Sequence, residues 1–393
     1  MSLANLIESY LPEFISIREH IHANPELSFQ EFNTSAFIQS KLKEYGITNV
    51  KTFANTGLVA IIEGNLPTSR VIALRGDMDA LPILEKNEIS YKSKHEGIMH
   101  ACGHDVHTTC LLGAAKILNE LKDSFEGTIK LIFQPGEEKH PGGASIMIAE
   151  GVLENPKPNA IFALHVYPHL PFGQLGFREG QYMASADEIY IKVKGKGGHA
   201  ALPHQTIDPI AISANLIVSL QQIISRNNNP LNPSVLSFGK IQGGHVGNVI
   251  PNEVNIEGTL RCMDEVWRKK AHELITKHTI ALCQAMGGDA EVNIPMGYPF
   301  LMNDVATTKQ ARQITTSALG AENIVELDRR MAAEDFSFYT HHVPGCFFRL
   351  GTSYKGEFEF PVHNERFNIH QPAIGVGIRA LCEIAINFRP THS

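Results

Sequence analysis

Long apolar runs are missing from this sequence. No window approaches the ~18 uninterrupted apolar residues of a membrane-spanning helix, which excludes that class of membrane protein. Cysteine is sparse, with six in 393 residues, so the chain is not a disulfide-stapled scaffold. Four of them, Cys110, Cys262, Cys283 and Cys382, sit among apolar residues and read as buried free thiols. Basic charge is not in excess: 34 Lys and Arg stand against 41 Asp and Glu, for a formal net charge of −7. The basic residues are dispersed, and no stripe of them fits nucleic acid. Internal repeats, low-complexity stretches and long linkers are also absent. The first residues, 1–29, form an amphipathic pattern with acidic residues inside it, not a basic region followed by an apolar one. No export signal is read there, and a cytoplasmic location is expected.

What remains is an ordinary globular composition, 43% hydrophobic and 19% charged. The length exceeds the ~100–200 residues of one typical core, so two domains are expected. Helical spacing of apolar residues marks Leu3–His20 and Glu31–Tyr45. Strands follow at Gly57–Glu63 and Val71–Leu74, then a helix at Val106–Leu121 with Asp105 as its N-cap. Thr128–Phe133 is a strand, Ala144–Glu150 a short helix and Ala160–Val166 a strand. This rhythm predicts an α/β fold with a largely parallel, covered sheet. From Ala186 the order becomes β-α-β-β-α-β: Asp187–Lys194, Ile207–Ser225, Val235–Ile241, Val254–Cys262, Glu265–Met286 and Ala290–Met296. That is the ferredoxin-like pattern of a small α+β domain. Beyond Tyr298 the α/β rhythm resumes. The expected organisation is a large domain formed by residues 1–185 and 298–393, with residues 186–297 inserted as a smaller one.

Ligands of open α/β folds gather beyond the carboxyl ends of strands. Here those ends carry Arg75-Gly76-Asp77-Met78-Asp79, Gln134-Pro135-Gly136-Glu137-Glu138 and His165, with Met99-His100-Ala101-Cys102-Gly103-His104-Asp105-Val106-His107 just before a helix. Cys102 and His104 are two apart and face one side in extended backbone. Gly103 between them leaves room for the loop to close on an ion. Thiolate, imidazole and carboxylate together suit a first-row divalent metal. A buried structural cysteine beside two histidines at a helix start would also fit the short pattern. Glu137-Glu138 reads either as a solvated acidic turn or as a division of labour. In the second reading one carboxylate binds a metal while its neighbour handles the proton of the attacking water.

With these segments joined, the chain resembles the M20 metallopeptidase family in its aminoacylase/hippurate hydrolase branch. The resemblance runs from His20–Phe29 through Arg75–Pro82, His100–His107, Gln134–Glu138 and Leu164–Val166. It continues through Gly198–Pro203, Asn248–Asn252 and Ala333-Glu334-Asp335-Phe336. It implies a zinc-peptidase-like catalytic domain with an inserted lid and dimerisation domain. It also implies a centre of two divalent ions (zinc, manganese, cobalt or nickel) held by Cys102, His104, Glu138, His165 and His363, with Glu137 as general base and acid. Asp77 and Asp79 are expected to hold ligands by hydrogen bonds, and Asp105 and His107 to act as supports or caps. His199 is implied as the oxyanion donor, often supplied by a partner subunit, with Asn248 and Arg261 binding substrate. Each has a plainer reading, as a turn histidine, a turn residue and a surface strand residue. One departure stands out: after His363 the family's following proline and acidic positions are lost in Asn364–Gln371, and His370 is an alternative ligand.

The implied reaction is hydrolysis of the amide bond of small N-acyl amino acids, hippurate-like or N-acetyl, by a homodimer without nucleic-acid or membrane partners. A dipeptidase or aminopeptidase, or an N-acyl-diaminopimelate deacylase, is the alternative within enzymes. A non-catalytic metal- or ligand-binding homologue is the alternative outside them.

Overall fold

The computed structural model describes residues 2–390, and the chain divides into two compact units. The first comprises residues up to Gly180, Met302–Asp328 and the chain from Asp335 onward; the second comprises Gln181–Leu301 and Arg329–Glu334. Among the described residues no helix is long and apolar enough to cross a membrane.

The first unit is built on an eight-stranded, mostly parallel sheet. Its centre is four neighbouring parallel strands: Glu126–Gln134, Leu66–Asp77, Ala160–Pro171 and Gly345–Ser353. They are near-continuous apolar runs, as strands covered on both faces must be. Register puts Asp77 opposite Gln134 and Arg75 opposite Ala163, so Asp77, Gln134 and His165 end level with one another at the carboxyl edge. Helices Leu3–Ala23, His104–Glu120 and Ala373–Asn387 pack together through Phe14, Val106, Cys110, Leu118, Ile378 and Leu381 in one core with the sheet.

The second unit has its own core. Strand order Ser234–Gln242, Glu253–Cys262, Asp187–Lys194, Asp289–Asn293 makes a four-stranded antiparallel sheet. Helices Pro209–Gln222 and Glu265–Ala285 lie on it through Ile212, Leu216, Ala271 and Ile275. Asp187 anchors this unit. Its buried carboxylate receives Arg268 through both oxygens at 2.6 and 2.7 Å, and also His272 and the Gly297 N–H at 2.9 Å. Burial alone would raise this carboxyl, but Arg268 and His272 outweigh it and hold it at about 2, below the ordinary 3.8. Asp187→Asn is therefore expected to destabilise the unit by about 3 kcal/mol, read as a lower urea midpoint. A depressed carboxyl stabilises above its unfolded value and stops doing so as pH falls through its folded one. The difference between the two proteins should therefore be complete above pH ~4 and shrink toward pH ~2.

The helix expected at Val106–Leu121 begins earlier, at His104, and its N-cap is Gly103, not Asp105. Gly103 has φ +85°, and a Cβ there would lie 2.5 Å from Val166 Cγ2, so only glycine makes this turn. Asp105 falls inside the first helical turn, where its carboxylate is committed elsewhere.

Candidate metal centre

The parallel strands and the helix start bring the sequence-predicted donors to one place. Donor atoms of Cys102, His104 and His165 lie within 4.8 Å of one another. The same holds for Cys102, Glu138 and His363, and for His104, Glu137 and Glu138. All five expected ligands thus join one connected cluster, with the expected base beside it and Cys102 common to two of its groups.

Hydrogen bonds leave the right atoms available. His104 Nδ1 donates to Asp79 Oδ1 at 3.1 Å, which turns Nε2 inward; that atom is buried and has no hydrogen-bond partner. His165 Nδ1 donates to the Val166 carbonyl at 2.8 Å and aims Nε2 at Cys102 Sγ, 3.4 Å away. His363 Nε2 lies 3.1 Å from Glu138 Oε1 without the alignment of a hydrogen bond. Donor atoms that converge on one place, with His104 Nε2 and Glu138 Oε1 left without a hydrogen bond, are what a cation requires. Asp79 is itself fixed by Ser28 Oγ at 2.6 Å and by the Glu138 N–H at 3.0 Å, so one carboxylate orients two donors.

The field points the same way. Burial lowers the pKa of His104, yet Asp77 and Asp79 overcome it and push the group up to about 10. Burial, then Glu138, Glu137 and Asp77, push the Cys102 thiol well above its ordinary value. Burial and then Arg349 hold His165 well below its own, so its imidazole is neutral with Nε2 free to ligate. The acidic surroundings thus favour a proton, or a cation in its place, at His104 Nε2 and at the Cys102 sulfur. The residues present fit a divalent ion of intermediate softness.

The supporting residues are arranged differently from expectation. Asp77 hydrogen-bonds His107, whose Nδ1 donates to Asp77 Oδ1 at 2.6 Å and whose Nε2 accepts the Val166 N–H at 2.9 Å, while Asp77 Oδ2 lies 3.7 Å from His104 Nε2. Both imidazole nitrogens are spent, so His107 fixes the backbone next to His165. Asp105 supports none of the five directly. Its Oδ2 receives Arg18 Nε at 2.7 Å and His22 Nδ1 at 2.8 Å, and His22 Nε2 reaches Glu85 at 3.1 Å. This buried ionic knot ties the first helix to the helix start that carries His104. His370 stacks on Tyr354 at 4.2 Å and belongs to none of the donor groups among the described residues.

Arg75, Gln134 and Asp335 lie within the recognised motifs, yet sequence reasoning gave their side chains no role. All three are buried and mutually hydrogen-bonded. The available signal was an arginine closing the apolar run Val71–Leu74, since a buried guanidinium demands carboxylate partners.

In the second unit, His199 and Asn248 come together. His199 pairs with Val249 across a two-stranded sheet, and the Asn248 carbonyl accepts the Ala200 N–H at 3.0 Å. The Ala201 N–H donates to His199 Nδ1 at 3.1 Å, so the neutral ring carries its proton on the exposed Nε2. Arg261 is not brought to them. It lies at the far end of strand Glu253–Cys262, roughly 26 Å from Glu253 at ~3.3 Å per residue.

A mixed α/β fold carrying a cysteine–histidine–carboxylate cluster with a second glutamate beside it defines a class, the metal-dependent hydrolases. The chain belongs to peptidase family M20/M25/M40, whose sequence profile matches residues 73–387. It is 43% identical over 362 residues to N-acetyl-L-cysteine deacetylase of Bacillus subtilis, covering 92% of this chain and 85% of that one. It is 40% identical over 381 residues to IAA-amino acid hydrolase ILR1-like 4 of Arabidopsis thaliana, covering 95% and 85%. Among solved structures it resembles a dinuclear metal-binding peptidase of the M20 family from Bacillus subtilis. The TM-score is 0.82 at 33% identity, and the match covers 96% of this chain and 98% of that one. These relatives agree with the aminoacylase/hippurate hydrolase branch. The chain is a hydrolase, and the non-catalytic alternative is left without support. Divalent metal at this centre is supported by the donor groups and by the dinuclear neighbour.

Proposed function

We propose that this enzyme cleaves the amide bond of N-acyl amino acids, hippurate-like or N-acetyl, to a carboxylic acid and a free amino acid. The observation that carries the reading is the convergence of five donors, with a buried His104 Nε2 that makes no hydrogen bond, beside a second glutamate. Cys102, His104, Glu138, His165 and His363 would hold two divalent ions, drawn from zinc, manganese, cobalt or nickel. When bound, such ions polarise a carbonyl and lower the pKa of a coordinated water from ~15.7 toward ~7.

The chain's own residues do the rest. Glu137 is buried beside His104 and Glu138. It takes the proton of the attacking water and returns it to the departing nitrogen, making a poor amine leaving group a good one. His199 donates Nε2–H to the oxygen that gains charge as the carbonyl becomes tetrahedral. Asn248 supports that end, and Arg261 pairs with the substrate carboxylate. His199 lies on a segment held beside the start of strand Glu253–Cys262, where the Gly197 N–H donates to Asn252 Oδ1 at 2.8 Å, and Arg261 lies near the strand's other end. That separation supports a homodimer through this unit, in which the partner subunit's His199 completes the site. The buried free thiols are in keeping with a reducing, cytoplasmic setting.

The test is a substrate panel on protein reconstituted separately with zinc, manganese, cobalt and nickel. Benzoyl-glycine and N-acetyl amino acids are expected to be hydrolysed in preference to free dipeptides and N-acyl-diaminopimelate. Faster turnover of free dipeptides would replace this reading with a dipeptidase.

A further inference from the structure

The loop that carries Glu137 and Glu138 runs between strand Glu126–Gln134 and helix Gly143–Ala149. Its neck is closed by the Gly143 N–H donating to the Gly136 carbonyl at 3.0 Å. A second closure spans the same neck from outside. Gln134 Nε2 donates to both oxygens of Asp335 at 2.9 and 2.7 Å, and the Ala144 N–H donates to Asp335 Oδ2 at 3.0 Å. One carboxylate, distant in sequence, therefore clasps the last residue before the loop and a residue just after it.

Asp335 is itself fixed. Arg75 Nη2 donates to its Oδ1 at 2.8 Å, while Arg75 Nη1 donates to Asp77 at 2.6 Å and Nε to Gln134 Oε1 at 2.8 Å. Arg75, Gln134 and Asp335 are all buried, with Gln134 and Asp335 wholly out of solvent. The main-chain N–H of Asp335 then points back into the loop and donates to Glu137 Oε1 at 3.4 Å, a long bond of the kind that tightens on substrate binding.

We infer that Asp335 is a positioning residue for Glu137: its carboxylate clasps the neck of the loop, and its N–H turns the base away from ligation and toward the substrate's water. This rests on Glu137 being the base. A glutamate next to a metal-binding glutamate has two competing uses for its oxygens, as an additional ligand or as a proton acceptor. A donor fixed on one oxygen favours the second use and sets the direction of the other oxygen. A main-chain N–H supplies that donor, and the Asp335 carboxylate holds that N–H in place.

The experiment uses the full-length, metal-loaded enzyme. Asp335→Asn removes the charge that Arg75 clasps, and Gln134→Leu removes the amide while keeping its bulk. Misplacing a catalytic group by about 1 Å costs ~10²-fold, so kcat should fall about 100-fold in Asp335→Asn and about 10-fold in Gln134→Leu. KM should stay within about twofold and metal content should be unchanged, because the loss falls on the transition state. Each change is then repeated in a Glu137→Asp background, whose shortened carboxylate no longer reaches the Asp335 N–H. There Gln134→Leu should cost nothing further. Full additivity in that cycle, or loss of metal in place of kcat, overturns the inference. Should Asp335→Asn fail to fold, Gln134→Leu decides alone. If Glu137→Gln itself keeps turnover, the assignment of the base has failed. If Glu137→Gln is inactive while Gln134→Leu keeps full kcat, only the positioning role has failed.

Discussion

Glu137→Gln is expected to lower kcat by about 10²–10⁴-fold while the protein retains its full complement of divalent metal. Glutamine preserves the volume and can still accept the Asp335 N–H, so the loop should keep its shape. What it cannot do is take a proton from water and pass it on. The five proposed ligands do not include Glu137, so inductively coupled plasma analysis of the variant should match the wild type. KM should change little, because an interaction made only in the transition state leaves ground-state binding alone. The converse pattern, metal lost along with activity, would make Glu137 a ligand and leave the reaction without its acid and base. Glu137 and Glu138 are adjacent and chemically alike, so the assignment turns on what each touches. Glu138 approaches His363 and Cys102, whereas Glu137 is drawn toward Asp335.

Local pattern predicted the elements well where local physics decides them. Gly57–Glu63 and Asp187–Lys194 have the bounds expected from their apolar runs and flanking turns. Cys102, His104, Glu138 and His165 were legible from local pattern for two separate reasons, whereas His363 came only from the family resemblance. Cys102, Gly103 and His104 form a compact motif at a helix start, and the glutamate pair and His165 follow apolar runs that could only be central strands. Convergence then follows from topology, because neighbouring parallel strands end at one edge. Asp105 was misread as a cap because an acidic residue before an apolar helix is ordinarily one. Its commitment to Arg18 and His22 spans more than eighty residues, and no periodicity reports that. The Asp335 clasp is harder still, joining residues 191 to 260 positions apart. Such contacts depend on which strand lies beside which. The sequence hints at them only indirectly, through charged side chains in segments too apolar to leave them solvated.

Cys102→Ser should weaken metal binding at both proposed positions. Cys102 is the donor common to the group with His104 and His165 and to the group with Glu138 and His363. Removing a hydrogen-bond partner of a ligand typically costs 10–100-fold in affinity, so replacing the shared ligand itself should cost at least about 10²-fold. Serine is close in size, but its hydroxyl does not ionise at neutral pH and makes a poor ligand. The same thiol gives the wild type a measurable signature. Burial and the nearby Glu138, Glu137 and Asp77 raise its pKa well above the ordinary value, so it is protonated when no cation is present. A cation must expel that proton to bind the thiolate. Metal uptake by apo protein is therefore expected to release a proton, read as a binding heat that depends on the ionisation enthalpy of the buffer. Affinity should rise with pH, since each step upward makes the proton easier to lose. In Cys102→Ser that buffer dependence should shrink along with the affinity. Two ions held as tightly as in the wild type, with the same proton release, would mean that Cys102 is only a buried thiol and that the two donor groups share no ligand.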